Sequence, residues 1–340
     1  MTPKTKKSLL IAAAAVAAVA VIAAVVLIPF FSGSGREARI YVRPGISTEA
    51  LADSLAATQG DAFAGRVSSL LSLLEVDLSK RVGAYDIAAG DSPLDVARRL
   101  RNRQQASIKL TFHNLRTTGQ LADAVAARFL MTKDELMQCL TDSTFCASLG
   151  KTPATMPAAL LPDTYEFYWG VTPQKLLTTI ARYSSRFWTT ERAAQAQALG
   201  LSPDEVATIA SIVEEETAKP DEWGMVARLY INRLKQGMKL QSDPTVKFAL
   251  GNFALRRITH AMLTTDSPYN TYRCDGLPPG PIRFPDRRVI DAVLRAPQHS
   301  YTYMCAKEDF SGYHNFTDSY TTHLRNAARY QAALNSRGIH

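Results

Sequence analysis

The longest apolar stretch of the chain runs without a charged residue over residues 9–31. A helix of about 20 apolar residues crosses a hydrocarbon core of about 30 Å, whereas the apolar part of a cleaved signal peptide has only about 7–15 residues. The length favours an uncleaved membrane anchor, and the Ala-rich composition leaves cleavage as the alternative. Lys4, Lys6 and Lys7 precede the stretch. By the positive-inside tendency they predict a single pass through the inner (cytoplasmic) membrane, with the N-terminus in the cytoplasm and the bulk of the chain in the periplasm.

Shorter alternations of apolar and polar positions follow this segment. The Ser-Gly repeat of residues 32–35 predicts a flexible linker. Residues 39–42 and 83–87 predict strands, and Ser47 and Ser92 are predicted to cap the helices that follow them. This succession is typical of small glycan-binding modules of the lysin-motif type, although any small α+β unit would produce it as well.

A well-marked helix is predicted from Ser202 onward. Ser202 is the expected N-cap, Pro203 occupies the first helical position, and Glu205 completes a capping box. At helical spacing the residues that follow form one apolar stripe, which consists of Val206, Ile209, Ala210 and Val213.

Three consecutive glutamates, Glu214, Glu215 and Glu216, end this helix. Helical phase directs Glu216 toward the apolar stripe and the other two toward water. A carboxyl group on the apolar side loses hydration, which favours its protonated form, and a protonated carboxyl can donate a proton to a glycosidic oxygen. The alternative is a structural ion pair of Glu216 with Arg228 or Arg233.

The charge balance excludes little by itself. The formal net charge is +8, but outside the N-terminus no run of Lys and Arg is long enough for a nucleic-acid-binding arm. We interpret the excess as mild attraction to an anionic membrane or cell wall. The G-x-S-x-G, H-E-x-x-H and G-x-G-x-x-G patterns are absent from the sequence, and neither a cofactor nor a metal is predicted.

The four cysteines form no C-x-x-C motif and have no histidine cluster beside them, which argues against a zinc site. Outside the cytoplasm, disulfide formation is favoured. The predicted pairs are Cys274 with Cys305 and, ranked second, Cys139 with Cys146. Four separate buried thiols are the alternative.

Short motifs occur in a fixed order along the C-terminal half. They are Leu161-Pro162-Asp163-Thr164-Tyr165, Ala210-Ser211-Ile212-Val213-Glu214-Glu215-Glu216-Thr217, Ile231-Asn232-Arg233-Leu234, Leu240-Gln241-Ser242-Asp243-Pro244-Thr245-Val246, Tyr269-Asn270-Thr271-Tyr272, Gly276-Leu277-Pro278-Pro279-Gly280-Pro281-Ile282, His314-Asn315-Phe316 and His323. Over roughly residues 160–330 the chain therefore resembles the endolytic murein transglycosylase (YceG-like) family. The family's catalytic glutamate is the second of a Glu-x-Glu-Thr motif, which corresponds to Glu216. The chain departs from the family in Glu215, where Lys is usual, in its four cysteines, and in a longer segment at residues 130–157.

The resemblance implies a lyase that acts on nascent peptidoglycan strands. Glu216 would protonate the oxygen between N-acetylmuramic acid and N-acetylglucosamine, then take the proton of the muramyl C6 hydroxyl and leave a 1,6-anhydro end. The implied partners are the glycan strands, the cytoplasmic membrane and peptidoglycan synthases. Two alternatives stay open: a non-catalytic peptidoglycan-binding scaffold, and a muramidase that uses two carboxylates.

The candidate substrate-binding residues are Gln241, Ser242, Asp243, Tyr269, Asn270, Tyr272 and His314. The alternatives are ordinary turn residues for Gln241 and Ser242, a loop packed on the core for residues 269–272, and a structural role for His314. For Asp243 the sequence favours a structural role, because Asp before Pro244 is a good N-cap. Asp163 and Glu166 are further candidates for a second carboxylate.

We therefore predict an α+β fold in four parts. Residues 1–35 form the cytoplasmic tip, transmembrane anchor and linker. Residues 36–106 form a lysin-motif-like α+β domain, residues 107–159 a connecting or inserted helical region, and residues 160–334 a mixed α+β YceG-like catalytic domain.

Overall fold

The computed structural model describes residues 3–255 and 257–337, with side chains from Ser8 onward. The side chains of the three N-terminal lysines that underlie the predicted orientation lie outside this part. The chain divides into two compact units, of which the first comprises Met1–Ile108 with Glu166–Val171 and the second comprises Lys109–Tyr165 with Thr172–His340. The predicted division into four parts stays a prediction.

The first unit combines helices with a two-stranded sheet. Its elements are α1 (Pro3–Phe31), β1 (Ala38–Val42), α2 (Thr48–Gln59), α3 (Asp61–Leu73), β2 (Gly83–Ile87) and α4 (Pro93–Arg101). Strands β1 and β2 pair antiparallel, from Ala38 opposite Ile87 to Val42 opposite Gly83. Their inward side chains join those of the helices in one core, which includes Leu51, Leu55, Phe63, Val67 and Tyr85.

Helix α1 carries the apolar stretch at the N-terminus. Residues Ser8–Phe31 have a mean hydropathy of 3.0 over their most apolar window and are not buried within the protein. In the described part of the chain this is the one helix long and apolar enough to cross a membrane, a property that a membrane anchor and a signal sequence share.

Local sequence signals in the first unit are confirmed with one exception. Ser47 caps α2, and Ser92 forms a complete capping box with Asp95 at the start of α4. The exception is the flexible linker, which stays a prediction: the backbone of Gly35 bonds to Asp91 and Gly90 at 2.9 Å each. These bonds give residues 34–35 backbone partners in the loop between β2 and α4.

The second unit is mainly helical. The boundary between the units passes through β3 (Ser107–Thr111) and β4 (Thr164–Tyr168), which form a two-stranded sheet. The remaining elements are α5 (Thr118–Ala126), α6 (Lys133–Thr141), α7 (Ser143–Ser148), α8 (Met156–Ala159), α9 (Pro173–Ser185), α10 (Thr190–Leu199), α11 (Pro203–Glu216), α12 (Trp223–Lys235), α13 (Asp243–Ala249), α14 (His260–Leu263), α15 (Arg287–Leu294), β5 (Tyr303–Ala306), β6 (His314–Thr317) and α16 (Tyr320–Ser336). Strands β5 and β6 pair antiparallel. Together with the N-terminal apolar helix, this is a mixed α+β architecture, as predicted.

Helix α11 lies at the centre of the second unit and contacts α10, α12, α13 and α15. Ser202 caps it through the predicted capping box with Glu205. All eight residues from 206 to 213 are buried, so the helix is covered around its circumference and not only along the predicted stripe. Buried Ser211 accepts a hydrogen bond from the backbone N–H of Ile282 at 3.0 Å, which ties the Pro-rich loop to the helix.

Gly280 in that Pro-rich loop packs directly against the backbone of Ala154. A Cβ atom at position 280 would lie 2.0 Å from the Ala154 carbonyl oxygen. We therefore predict that Gly280→Ala lowers the free energy of unfolding by roughly 1–3 kcal/mol, the usual cost of overpacking, as measured by thermal or denaturant unfolding. Gly65→Ala in α3 is the control, since a Cβ there meets no atom within 4 Å. An equal decrease in the free energy of unfolding in both variants would contradict the close packing of Gly280 as the cause.

Candidate active site

Glu216 is the last residue of α11, and its carboxyl group is held by two buried hydroxyl groups. Tyr230 on α12 donates a hydrogen bond to Oε1 at 2.7 Å, and Ser242, which precedes α13, donates to the same oxygen at 2.5 Å. Tyr230 is 2% exposed and Ser242 is fully buried. Three different elements therefore fix the position of one carboxyl oxygen.

The environment of Glu216 favours its protonated form. Burial is the largest influence and raises the pKa of the Glu216 carboxyl above its ordinary value. The hydrogen bonds from Ser242 and Tyr230 lower this pKa, the charge of Asp243 raises it, and His314 lowers it slightly, but burial outweighs the opposing effects. A carboxyl group of this kind is suited to act as a proton donor near neutral pH.

A cavity of about 260 Å³ opens at Glu216. Helix α12, the segment before α13, strand β5 and the start of β6 supply its walls. The lining residues are Glu216, Leu229, Tyr230, Arg233, Leu240, Gln241, Asp243, Tyr272, Met304, Cys305, Ala306 and His314. Of the predicted substrate-binding residues, the cavity thus brings together Gln241, Asp243, Tyr272 and His314 with Glu216.

Asp243 does not have the capping role that the sequence favours. It is the first residue of α13, the N-cap position belongs to Ser242, and no side-chain capping bond forms. The carboxylate instead accepts a hydrogen bond from the hydroxyl of Tyr272 at 2.7 Å. Burial, together with this contact to Asp243, raises the pKa of the Tyr272 hydroxyl, so the tyrosine stays a hydrogen-bond donor.

Tyr269, Asn270 and Ser242 do not line the cavity. The ring of Tyr269 packs on Phe248 with centroids 4.7 Å apart, next to the main core of the unit. Asn270 is fully buried, and its amide group donates to the backbone carbonyls of Leu263, at the end of α14, and of Thr265 just after it. Ser242 directs its hydroxyl to Glu216. Tyr269 and Asn270 thus adopt the core-packing alternative to substrate contact, and Ser242 supports Glu216 from outside the cavity.

The prediction that Glu214 and Glu215 lie in water is wrong. Both side chains are only 13% exposed. Arg283 bridges them, at 2.9 Å from Glu214 and 2.8 Å from Glu215, and Arg116 binds Glu215 at 2.9 Å. The packing of other segments around this end of α11, which helical phase cannot reveal, removes both carboxylates from water.

The alternative of a structural ion pair for Glu216 does not hold either. Arg228 donates to the backbone carbonyls of Ala296 and Pro297. Arg233 donates to the carbonyls of Leu240 and Thr302, although its side chain reaches the cavity wall. Both arginines bind backbone oxygens, and the two hydrogen bonds that hold the Glu216 carboxyl come from Tyr230 and Ser242.

Two further residues of the site were missed by sequence reasoning, namely Tyr230 and Glu222. Tyr230 directly precedes the Ile231-Asn232-Arg233-Leu234 motif, and this adjacency is the one sequence signal that could have identified Tyr230. Glu222 lies in the short 3-10 turn Pro220–Glu222 and binds His314, with 2.9 Å between its Oε2 and the Nδ1 of the ring. No pattern in the sequence marks Glu222.

The predicted disulfides are also wrong, since all four cysteines are free thiols. The thiol of Cys146 donates to the carbonyl of Leu140 at 3.5 Å, and that of Cys274 donates to the carbonyl of Ser267 at 3.6 Å. Cys305 lies on β5 and lines the cavity. Cys139 is buried. The residues that the structure describes include no group of three or more His, Cys, Asp or Glu suited to hold a metal ion.

Comparison with known proteins identifies the family. The YceG-like family matches residues 40–329, and the chain belongs to it. A protein of Bacillus subtilis named endolytic murein transglycosylase is 29% identical over 233 residues, which span 64% of this chain and 64% of that protein. A protein of the same name from Streptococcus pneumoniae (strain D39) is 29% identical over 179 residues, 50% of this chain and 31% of the relative. The chain thus spans less than two thirds of either relative.

A solved structure has the same fold. The crystal structure of a YceG-like protein from Listeria monocytogenes superposes with a TM-score of 0.58 at 24% sequence identity. The match covers 85% of this chain and 98% of that one.

The raised pKa of the partly buried Glu216 carboxyl leads to a prediction about stability. Because its pKa is raised on folding, its favourable contribution is present at low pH and is lost as the pH rises through the folded-state pKa. Glu216→Gln keeps an acceptor for both hydroxyl donors and removes the charge. We therefore expect its melting temperature to exceed that of the wild type at neutral pH and to approach it at low pH, as measured by calorimetry across pH.

Glu191→Gln is the matched control, because Glu191 is an exposed residue of α10 and we expect little change in stability at any pH. A Glu216→Gln protein less stable than the wild type at neutral pH would show that ionised Glu216 is well solvated or paired, contrary to this account.

Proposed function

We propose that the protein is a membrane-anchored endolytic murein transglycosylase that cleaves peptidoglycan strands with Glu216 as its catalytic acid and base. The observation that carries the proposal is the partly buried, doubly hydrogen-bonded carboxyl of Glu216 at the wall of an open cavity. Membership of the YceG-like family and the names of the relatives in Bacillus subtilis and Streptococcus pneumoniae support the choice of reaction and substrate.

The first step needs a protonated Glu216. Tyr230 and Ser242 both donate to Oε1, so that oxygen serves as the carbonyl-type acceptor and the acidic proton resides on Oε2. The proton passes to the β-1,4 oxygen that joins N-acetylmuramic acid to N-acetylglucosamine. The bond between this oxygen and C1 breaks, and positive charge develops on the muramyl ring.

The second step uses the carboxylate that the first step leaves. Glu216 takes the proton of the muramyl C6 hydroxyl, whose oxygen bonds to C1 and closes the 1,6-anhydro ring. The same two hydroxyl donors stabilise the carboxylate while it is charged. Glu216 ends protonated, and no water is consumed. One carboxyl group is therefore sufficient, whereas a hydrolase ordinarily needs a second one.

Location and substrate form the remaining parts of the proposal. The helix Ser8–Phe31 acts as an uncleaved single-pass anchor in the cytoplasmic membrane, with the catalytic unit outside the cytoplasm. Anchoring gives access to nascent strands near the membrane and to the synthases that make them. The small α+β core that contains β1, β2, α2, α3 and α4 acts as the lysin-motif-like glycan-binding region, a role that its two-stranded sheet with packed helices supports.

Product analysis tests the reaction. Purified peptidoglycan digested with the wild type is expected to yield 1,6-anhydro-muramyl ends by mass spectrometry. Glu216→Gln is expected to lower the rate by about 10²–10⁴-fold or more, because it removes the general acid and base. Glu191→Gln serves as the control with unchanged rate. Wild-type protein that binds peptidoglycan and releases no product would favour the non-catalytic scaffold.

A muramidase that uses two carboxylates is the second candidate, because Asp243 lines the same cavity as Glu216. Asp243→Asn separates the two, since Asn keeps an acceptor for the Tyr272 hydroxyl and removes the charge. In the lyase, cleavage persists. The loss of the Asp243 charge lowers the pKa of Glu216, so the alkaline limb of the pH–rate profile shifts to lower pH.

In the muramidase, the same variant would lose most of its activity at every pH, and the wild type would produce reducing muramyl ends. Residual activity with an alkaline limb that moves to higher pH would contradict the charge effect assigned to Asp243.

A further inference from the structure

Glu222 holds His314 through both of its carboxyl oxygens. Oε1 accepts the backbone N–H of His314 at 2.8 Å, and Oε2 lies 2.9 Å from Nδ1 of the imidazole. Oε2 also accepts a hydrogen bond from the hydroxyl of Thr217, the residue that follows Glu216, at 3.2 Å. Glu222 is 6% exposed, so these contacts form in a largely dry environment and fix the carboxylate.

This arrangement determines which nitrogen of His314 carries the proton. An ionised carboxylate accepts hydrogen bonds and cannot donate them. Nδ1 must therefore carry the hydrogen that faces Glu222, and in the neutral ring Nε2 is left with its lone pair. His314 lines the Glu216 cavity with its side chain 15% exposed. A neutral His314 in this tautomer adds a hydrogen-bond acceptor to the cavity wall.

A glycan supplies the complementary group, since saccharide hydroxyls donate hydrogen bonds. Two of the carboxyl oxygens at the cavity already accept hydrogen bonds within the protein. Oε1 of Glu216 already has two donors, and Asp243 accepts from Tyr272. Arg233 contributes donors alone.

We propose that Glu222 is a positioning residue that keeps the proton of His314 on Nδ1, so that Nε2 accepts a hydrogen bond from a hydroxyl group of the bound glycan. The inference rests on the proposed function and adds a substrate contact to it. The competing explanation is that Glu222 merely fastens the start of β6 to the turn after α11.

Glu222→Gln distinguishes the two explanations. The Gln carbonyl can still accept the backbone N–H of His314, so strand β6 stays attached. The Gln amide, in contrast, donates to Nδ1 and moves the ring proton to Nε2. Asp221→Asn is the matched control, because Asp221 is the neighbouring carboxylate and binds the hydroxyl of Tyr313 instead of His314.

The tautomer is measured by ¹⁵N NMR on the full-length, ¹⁵N-histidine-labelled protein in detergent, with the signal of His314 assigned from the spectrum of His314→Asn. His299 is an internal reference for the opposite tautomer, since its Nδ1 accepts the N–H of Tyr301 and its Nε2 faces the carbonyl of Met225. We expect a proton on Nδ1 of His314 in the wild type and in Asp221→Asn, and on Nε2 in Glu222→Gln.

Kinetics on glycan strands provide the functional readout. Glu222→Gln is expected to lower kcat/KM by about 10- to 100-fold, mainly through a higher KM, because a donor then faces the substrate where an acceptor is needed. Asp221→Asn is expected to match the wild type. His314→Asn, which keeps a donor for Glu222 but lacks Nε2, is expected to show a similar loss and covers the case in which Glu222→Gln does not fold.

Three results would overturn the inference: a wild-type His314 with its proton on Nε2, a Glu222→Gln protein with the changed tautomer and unchanged kinetics, or a His314→Asn protein with unchanged kinetics. A wild type that yields no anhydro ends would refute the proposed reaction and not this contact. The contact is then judged by the affinity of the same variants for uncleaved glycan chains, where an affinity equal to that of the wild type would overturn it.

Discussion

Helix α11 is buried around its whole circumference from Val206 to Val213, and the position of Glu216 follows from that burial. A helix enclosed by α10, α12, α13 and α15 cannot rotate or shift without opening the core of the unit. Glu216, the last residue of this helix, therefore has a fixed position at the cavity wall. There Tyr230 and Ser242, each buried within a neighbouring segment, meet the same carboxyl oxygen. The precision of the site thus comes from the packing of the core.

The same burial creates the chemical property that the proposed reaction needs. Removing a carboxyl group from water favours its neutral form, and the hydroxyl donors oppose this only in part. The carboxyl can therefore give up a proton and, once charged, remain stabilised by two hydrogen bonds. Asp243 lies at the same cavity with a single hydroxyl donor, that of Tyr272, so the two carboxyl groups have different environments and are suited to different roles.

The features that could be predicted from the sequence depend on residues close together in the chain. The caps at Ser47, Ser92 and Ser202 were predictable because a side chain and a backbone N–H a few residues away form each of them. Helical phase directed Glu216 toward the apolar side but placed Glu214 and Glu215 wrongly in water, and the catalytic role of Glu216 stays a proposal. Glu222, in contrast, acts on a histidine 92 residues away in the chain, and no spacing rule encodes such a contact. The capping role for Asp243 failed for the same reason, since its hydrogen-bond partner Tyr272 lies 29 residues away in the chain.

Glu215 shows how a departure from the family pattern is accommodated. An exposed position would tolerate either charge, but Glu215 is largely buried between Arg116 and Arg283. A lysine there would place a third cation beside two arginines, and Glu214 alone would remain to neutralise them. In this chain the acidic residue therefore completes an ion cluster on the flank of α11, away from the oxygen that Tyr230 and Ser242 hold. Among the charged groups at the cavity, Asp243 is the one that raises the pKa of Glu216. Glu215 instead fastens the end of the helix through the two arginines.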